Sequence, residues 1–282
     1  MKTILVPTDF SKEAENALEV ACSIAKHANS KIILLHIVEG IHEDSYSVSA
    51  SPIAEDGMDK VFIMKMIEKA GKQMQKKVAV LAAEGLEIRP VVKVGSVYNR
   101  ISEIIAEHNV DLIVMGTQGI TSVSRLLTGS NTEKVVRLAK CLVLSIKEKA
   151  SGFNIKNVVF ATNFKNDSDN FISRIKELQD IFGFNLNVVY VNTPADFQTD
   201  QKIKKKMQEY AAKHKLENYT LQIINSFSEE DGILAFADEI NADLIAISTH
   251  GRKGLANFFI ESLSQDLVNN GSKPMLTYNL NY

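Results

Sequence analysis

Residues 2–10, KTILVPTDF, recur in a similar form as residues 156–164, KNVVFATNF. A second pair of segments follows in the same order, because residues 111–119, DLIVMGTQG, match residues 243–251, DLIAISTHG. One such match is plausible by chance. Two matches in the same order, with similar surroundings, indicate a tandem duplication of one domain.

The duplication predicts one domain over residues 1–147 and a second over residues 154–282, and the length of 282 residues also favours two domains. Each half alternates short apolar runs with amphipathic segments, such as the helix that Ser11 is placed to cap. This alternation predicts an α/β fold with two tandem, open, five-stranded parallel sheets, each covered by helices on both faces. The predicted strands are residues 3–6, 31–38, 87–94, 112–115 and 141–146, then 158–161, 186–191, 219–224, 244–248 and 275–278.

Composition and charge exclude several classes of protein. With 32 Lys and Arg against 34 Asp and Glu, no basic excess exists to drive sequence-independent binding of nucleic acid. No run of about 18 apolar residues suggests a membrane span, and residues 1–10 are too short and polar for a secretory signal. The only cysteines, Cys22 and Cys141, form no CxxC pair and are expected to be packing residues. We therefore expect a cytoplasmic protein with neither nucleic acid nor membrane as a partner.

A glycine-rich segment, residues 116–130, GTQGITSVSRLLTGS, lies between a predicted strand and a predicted helix. Glycines let a phosphate chain approach backbone N–H groups, because no Cβ stands in the way. The start of the helix at residues 129–131 adds free N–H groups and the positive end of the helix dipole. Ser130 can donate its hydroxyl to a phosphate oxygen. The segment therefore predicts a phosphate-binding loop.

The spacing of this segment resembles the motif of the ATP-binding branch of the universal stress protein family. Two residues separate Gly116 from Gly119, and nine more precede Gly129, which Ser follows directly. The segments 7–11, PTDFS, and 34–38, LLHIV, also resemble the family. The resemblance covers both halves, and it implies a Rossmann-like fold and ATP as the ligand of the first half.

The resemblance also implies a role for particular residues. Asp9 would accept hydrogen bonds from the ribose hydroxyls, Pro7 and Thr8 would line the nucleoside pocket, and the backbone of Ile37 would meet the adenine edge. The ribose and phosphates would lie on Gly116, Gly119, Gly129, Ser130 and Asn131. A Mg²⁺ or Mn²⁺ ion would sit mainly on phosphate oxygens and water, and we predict neither metal-ligating nor catalytic residues.

The second half departs from this motif at the positions that matter most. Asn163 stands where the first half has Asp9, Ala161 replaces Pro7, Ser248 replaces Gly116, and Glu261 replaces Gly129, whereas Gly251 keeps the middle glycine. A carboxylate at Glu261 would repel a phosphate chain. We therefore predict one adenine nucleotide per chain, bound by the first half, and a degenerate second domain.

These observations favour a regulatory ATP-binding protein of the stress response, but two alternatives stay open. One is an interaction module or scaffold in stress signalling that does not depend on nucleotide. The other is a very slow ATPase or autophosphorylating protein, although neither a GxxxxGK[ST] loop nor an acidic base near the glycines is present. Residues 39–55, which are acidic and serine-rich, form either a surface loop or a lid over the site.

The remaining expectations concern assembly and single residues. The resemblance implies that residues 142–146 lie beside residues 276–280, which makes the chain an internal pseudo-dimer and leaves a homodimer open. His36 is expected to be a core histidine with satisfied polar atoms. The lysine-rich residues 201–207 are expected to form one solvated helix face. Four methionines are expected to be core residues, namely Met58, Met64, Met66 and Met74.

Overall fold

The computed structural model describes residues 1–39, 56–117, 134–136, 139–147, 153–164, 169–249 and 273–280. The first half contains β1 (Thr3–Pro7), α1 (Lys12–Ala28), β2 (Lys31–Val38), α2 (Asp56–Ala83), β3 (Ile88–Val94), α3 (Val97–His108), β4 (Leu112–Gly116) and β5 (Leu142–Ile146). The second half contains β6 (Asn157–Ala161), α4 (Asp169–Phe182), β7 (Asn185–Asn192), α5 (Asp200–His214), β8 (Tyr219–Asn225), α6 (Glu229–Glu239), β9 (Leu244–Thr249) and β10 (Met275–Asn279). Every predicted strand is present, with ends that shift by a residue or so.

The two halves share one ten-stranded sheet, in the order β3-β2-β1-β4-β5-β10-β9-β6-β7-β8. All neighbours within each half are parallel, as predicted. The halves join where β5 and β10 pair antiparallel, with Leu144 opposite Leu276. The expected internal pseudo-dimer is therefore found, and each half covers an edge strand of the other.

Helices cover both faces of this sheet because its strands are apolar on both sides. One core layer contains Ile4 and Val6 of β1 together with side chains of α1, α2, α4 and α5. The opposite layer contains Leu5 of β1 together with side chains of α3 and α6. The alternation of neighbouring β1 residues between the two layers follows from the two-residue period of a strand.

Helix α1 begins where its sequence supplies a cap. The Oγ atom of Ser11 accepts a hydrogen bond from the backbone N–H of Ala14, 3.2 Å away. Glu13 and Glu15 lie in the first turn, where negative charge is favoured by the helix dipole. The helix ends at Ala28, because the C-cap residue Asn29 takes a left-handed φ of 50°. This cap fixes the position at which the chain leaves β1.

The amino end of the sheet repeats one hydrogen-bonding device in both halves. The Oδ2 atom of Asp111 accepts the N–H groups of Lys2 and Thr3 at 2.7 and 3.1 Å. Asp243 accepts the two equivalent N–H groups of the second half at 2.8 and 2.9 Å. Asp111 also pairs with Arg174 of α4, at 3.1 Å, which ties the halves together; within the described ranges Asp243 has no such ion pair.

The methionines of α2 differ in burial, and the side chain of Met58 lies outside the described residues. Met74 is fully buried, as expected, but Met64 and Met66 are exposed, so the prediction for these two was wrong. The reason is the helical period, which places half-buried Ile63 and Ile67 on the face of buried Met74 and places Met64 and Met66 on the exposed flanks of that face. Residues 40–55 lie outside the described residues, so both alternatives for that segment stay open. Among the described residues, no helix combines the length and the apolar character that crossing a bilayer requires.

Candidate functional site

Five of the nine predicted site residues lie at one edge of the sheet. The carboxyl ends of β1, β2 and β4 meet there because the three strands are parallel neighbours. This edge holds Pro7, Thr8, Asp9, Ile37 and Gly116. The other four residues, Gly119, Gly129, Ser130 and Asn131, lie outside the described residues, so their roles stay predictions.

The turn after β1 orients Asp9. The Oγ1 atom of Thr8 accepts the N–H of Phe10 at 3.1 Å, and the Oδ1 atom of Asp9 accepts the N–H of Ser11 at 2.9 Å. Phe10 takes a positive φ of 65°, which is uncommon for a bulky residue. The turn leaves the carboxylate of Asp9 exposed to solvent at the carboxyl edge of the sheet. Because a backbone donor holds one oxygen, little further ordering is needed for Asp9 to accept a ligand's hydroxyl groups.

His36 supports the same turn from β2. Its Nδ1 atom lies 2.8 Å from the carbonyl oxygen of Thr8. A carbonyl oxygen only accepts, so Nδ1 carries the proton. The imidazole ring also lies 4.6 Å from the ring of Phe10, measured between centroids. The prediction of a core histidine is wrong as to burial, because His36 is half-buried, but its Nδ1 atom is hydrogen-bonded as expected. These contacts help to hold Phe10 in its uncommon conformation.

The backbone of Ile37 faces the space beyond the end of β1. In a parallel sheet, successive residues of a strand direct their backbone N–H and carbonyl groups alternately to the two neighbouring strands. The carbonyl of Leu35 accepts from Thr8 on the β1 side, whereas the carbonyl of Val38 accepts from Gly95 on the β3 side. The backbone N–H and carbonyl of Ile37 therefore face the β1 side, beyond the last β1–β2 pair, which is Pro7 with Leu35. A backbone donor and acceptor are thus directed into the candidate site.

Gly116 is explained by packing within the protein. A Cβ atom at this position would lie 2.5 Å from the backbone carbon and oxygen of Glu13 in the first turn of α1. The next residue, Thr117, is buried and donates its N–H to the carbonyl of Ile146 at 2.9 Å. The glycine therefore lets α1 approach β4 closely, and its presence is not independent support for a phosphate cradle.

The second half builds the same turn with different chemistry. The Oγ1 atom of Thr162 accepts the N–H of Phe164 at 2.9 Å, and Phe164 has a φ of 60°. The N–H of Thr162 donates to Val189, as that of Thr8 donates to Leu35. An exposed Asn163 stands in the position of Asp9. The two halves therefore differ here by the charge of one side chain on the same backbone, while Gly251 and Glu261 lie outside the described residues.

A buried polar network after β7 was missed by the sequence analysis. The side chain of Asn192 accepts the N–H of Gln198 at 3.0 Å and donates to the carbonyl of Gln198 at 3.1 Å. It also donates to Asn225 of β8 at 3.2 Å. Gln198 in turn donates to the hydroxyl of Tyr190, at 2.7 Å, and accepts from Lys206. A polar Asn192 at the position of Val38, at the end of an apolar strand, is the sequence signal that could have revealed this network.

The network fastens the segment of residues 193–198 at the end of β7, because Asn192 binds the backbone of Gln198. Burial, together with the nearby charge of Asp196, raises the pKa of Tyr190, and it also raises the pKa of Glu229. Tyr190 occupies the position of His36 and stacks on Phe164, with 5.9 Å between ring centroids. In the second half, side chains and backbone of the protein itself therefore fill hydrogen-bonding positions at this edge of the sheet.

No group of three or more His, Cys, Asp or Glu side chains that could hold a metal ion occurs among the described residues. Asp9 is the acidic side chain that the described turn after β1 presents at the candidate site. The groups brought together at this edge are one carboxylate, a backbone donor and acceptor, and half-buried apolar surface. Such groups can bind a ligand that carries neighbouring hydroxyls and a flat heterocycle.

Comparisons with known proteins identify the family. A sequence model described as the universal stress protein family matches residues 1–147 and again residues 154–279. A universal stress protein of Methanocaldococcus jannaschii is 29% identical over 157 residues, covering 53% of this chain and 97% of the relative. A second universal stress protein of that organism is 32% identical over 148 residues, covering 52% of this chain and 82% of the relative.

Solved structures show the same fold over the whole chain. A universal stress protein from Archaeoglobus fulgidus has a TM-score of 0.73 at 21% identity, over 99% of this chain and 96% of its own. A putative universal stress protein from Pseudomonas aeruginosa has a TM-score of 0.64 at 17% identity, over 99% of this chain and 93% of its own. Because the family model matches both halves in turn, the chain belongs to the universal stress protein family as a tandem member.

Proposed function

We propose that the first half binds an adenine nucleotide, ATP, at the carboxyl ends of β1, β2 and β4, and that the chain is a nucleotide-dependent regulatory protein of the stress response. The second half, in this proposal, lacks the site. The observation that carries the proposal is the exposed carboxylate of Asp9, held by the N–H of Ser11 at 2.9 Å. The same turn in the second half carries the neutral Asn163.

The geometry suits a nucleoside. A carboxylate can accept hydrogen bonds from both hydroxyls of a ribose, because each oxygen offers two lone pairs. The N–H and carbonyl of Ile37 face the same region, and adenine presents a ring nitrogen acceptor beside its amino donor. Pro7 and Thr8 lie between these two groups along the edge of the sheet. One backbone pair can therefore recognise the base while Asp9 recognises the sugar.

The second half offers a poorer site for two reasons. Asn163 lacks the negative charge that strengthens hydrogen bonds from ribose hydroxyls. The segment after β7 is fastened to Asn192 by hydrogen bonds of 3.0 and 3.1 Å, so a ligand in this region would have to displace it or bind beside it. The carboxylate of Glu261, predicted to lie near the phosphates, would also weaken binding by repelling them. One nucleotide per chain is therefore expected.

Calorimetric titration of the full chain with ATP tests the proposal. We expect a stoichiometry near one, and Asp9→Asn should weaken binding because it removes a charged acceptor. Hydrogen bonds to charged groups contribute about 1.5–3 kcal/mol, roughly a 10- to 100-fold change in Kd. The matched control is Asn163→Asp, which alters the same turn of the second half and should leave the first site unchanged. Two equivalent sites, no heat of binding, or full affinity in Asp9→Asn would each contradict the proposal.

Turnover separates a regulatory protein from a slow ATPase. In the proposed role, mass spectrometry of nucleotide released from the purified chain recovers intact ATP after prolonged incubation with Mg²⁺ or Mn²⁺. The metal would be held by phosphate oxygens and water, so chelation should weaken ATP binding without unfolding the chain. Steady release of inorganic phosphate, lost together with binding in Asp9→Asn, would instead favour the ATPase alternative.

A further inference from the structure

Helix α2 carries five large, exposed apolar side chains among the described residues; Val61 and Met64, 52% and 68% exposed, lie apart from the other three. Phe62 is 56% exposed, Met66 is 38% exposed and Val80 is 63% exposed. These positions are separated by four and fourteen residues, so at about 100° per residue they share one narrow face of the helix. The face from residue 62 to residue 80 is about 27 Å long at 1.5 Å per residue. We call these three residues the apolar stripe.

A row of lysines runs beside the apolar stripe. Lys65, Lys69, Lys72 and Lys76 recur every three or four residues and therefore share a second face next to the first. Lys72 pairs with Glu68 at 2.5 Å. Lys65, Lys69 and Lys76 have no ion-pair partner among the described residues. We call the four residues the basic stripe.

The local charge of α2 contrasts with the charge of the whole chain. Residues 56–83 contain six lysines and three acidic residues (Asp56, Asp59 and Glu68), whereas the chain has a net charge of −2. Lys77, the lysine on the far side of the apolar stripe, is engaged with Glu15 of α1. The four lysines of the basic stripe therefore place positive charge along one side of α2, which also packs against β3, the edge strand of the sheet.

We propose that α2 docks peripherally on anionic lipid surfaces, with the apolar stripe at the level of the acyl chains and the basic stripe on lipid phosphates. Adjacent apolar and basic faces on one helix are typical of helices that lie in a membrane interface. Lysine side chains can extend along apolar surface to reach phosphates. A bilayer presents acyl chains and phosphates over a flat area, so a helix face about 27 Å long can lie on it without a groove or pocket in the partner.

This proposal revises the expectation of no membrane partner, which rested on the lack of a spanning segment. Such a segment is not needed for peripheral contact. Attraction to anionic lipid strengthens binding about fivefold for each lysine close to the surface. A single helix with these few apolar residues should therefore bind reversibly, and its binding should fall steeply with salt.

Sedimentation of the full chain with vesicles tests the docking surface. One set of vesicles contains phosphatidylcholine alone, and the other also contains phosphatidylglycerol. We expect the chain to sediment with the anionic vesicles only, and to be released when salt is raised from about 0.1 M to about 0.5 M. Lys65→Gln with Lys69→Gln and Lys76→Gln should lower partitioning about 100-fold, at about fivefold per lysine. Phe62→Gln with Met66→Gln should lower it about tenfold.

Helix α5 provides a matched control because it is also rich in lysine. Lys202, Lys204 and Lys205 are exposed, while the large apolar residues of α5, Ile203, Met207 and Tyr210, are buried. Neutralising these three lysines should leave partitioning unchanged. All the substitutions lie on exposed positions and favour helix, so unchanged thermal melting verifies that each variant is folded.

Several outcomes would overturn the proposal. The first is that the chain stays in solution with anionic vesicles. The second is that the α5 variant loses as much binding as the variant of the basic stripe, which would indicate unspecific charge attraction. The third is full binding by Phe62→Gln with Met66→Gln. The fourth is that the wild type does not bind vesicles but forms a dimer in sedimentation velocity, and that Phe62→Gln with Met66→Gln is monomeric. This result would make α2 an interface between copies of the chain.

Discussion

Gly116 lies so close to Glu13 that a Cβ atom at residue 116 would stand 2.5 Å from the backbone oxygen of Glu13. This contact joins the end of β4 to the first turn of α1, directly beside the turn that carries Asp9. The position of the candidate site therefore depends on a close approach between a strand and a helix that are distant in sequence.

Gly116→Ala should destabilise the chain by about 1–3 kcal/mol, because backbone atoms must move to admit the methyl group. Gly71→Ala provides the control, since a Cβ there has no atom within 4 Å and Gly71 lies inside α2. That substitution should stabilise the chain by about 0.5–1 kcal/mol through helix propensity. Denaturant unfolding measures both effects, and equal stabilities for the two variants would refute the packing role of Gly116.

Much of the fold follows from local sequence and from the duplication. The apolar run KIILLHIV forms β2 with the predicted ends. The adjacency of β5 and β10 was expected from the resemblance of the halves to a family whose last strands pair, and it is found. The bounds of strands and the duplication can be predicted because hydrophobic periodicity and the order of repeated segments are both visible in continuous stretches of the sequence.

The features that were not predicted depend on contacts between distant residues. Gly116 was assigned to a phosphate cradle, but its contact with Glu13 is visible only in three dimensions. The bonds of Asn192 to Gln198 involve a side chain that closes a loop, and the sequence carries no periodic signal for such contacts. Met64 and Met66 were misplaced because composition was considered without the helical phase that turns them outward.

Asp111→Asn should cost about 1–2 kcal/mol, more than Asp243→Asn, because Asp111 also carries an ion pair with Arg174 of the second half and Asp243 has none in the part of the chain that the structure describes. Burial alone would raise the pKa of Asp111, but the N–H groups of Lys2 and Thr3, together with Arg174, hold it below its ordinary value. The stabilisation is therefore present above the ordinary pKa and is lost as pH falls through the lowered one.

Unfolding measured between neutral pH and about pH 3 tests this assignment. The stability difference between wild type and Asp111→Asn should shrink as the pH falls, because protonated Asp111 resembles the amide. A difference that stays constant over this range would show that the charge of Asp111 does not stabilise the fold.

The two thiols should be inert in the folded chain. Both cysteines are buried, and burial raises the pKa of Cys22 to about 11 and that of Cys141 to about 12. The reactive thiolate is therefore scarce near neutral pH. A colorimetric thiol reagent at pH 8 should label neither cysteine until denaturant is added, and both should then react. Prompt labelling of the native chain would contradict the structural role of these residues.

Asn192→Val should open the segment after β7. The substitution inserts the kind of residue that the first half has at Val38 but removes both bonds to Gln198, leaving buried polar groups of Gln198 without those partners. Such losses cost about 1–3 kcal/mol. Hydrogen exchange distinguishes local opening from general destabilisation. The amide of Gln198 should exchange far faster in the variant, whereas amides in β6 should change only as much as the global stability does. Unchanged protection of Gln198 would show that Asn192 does not hold this segment closed.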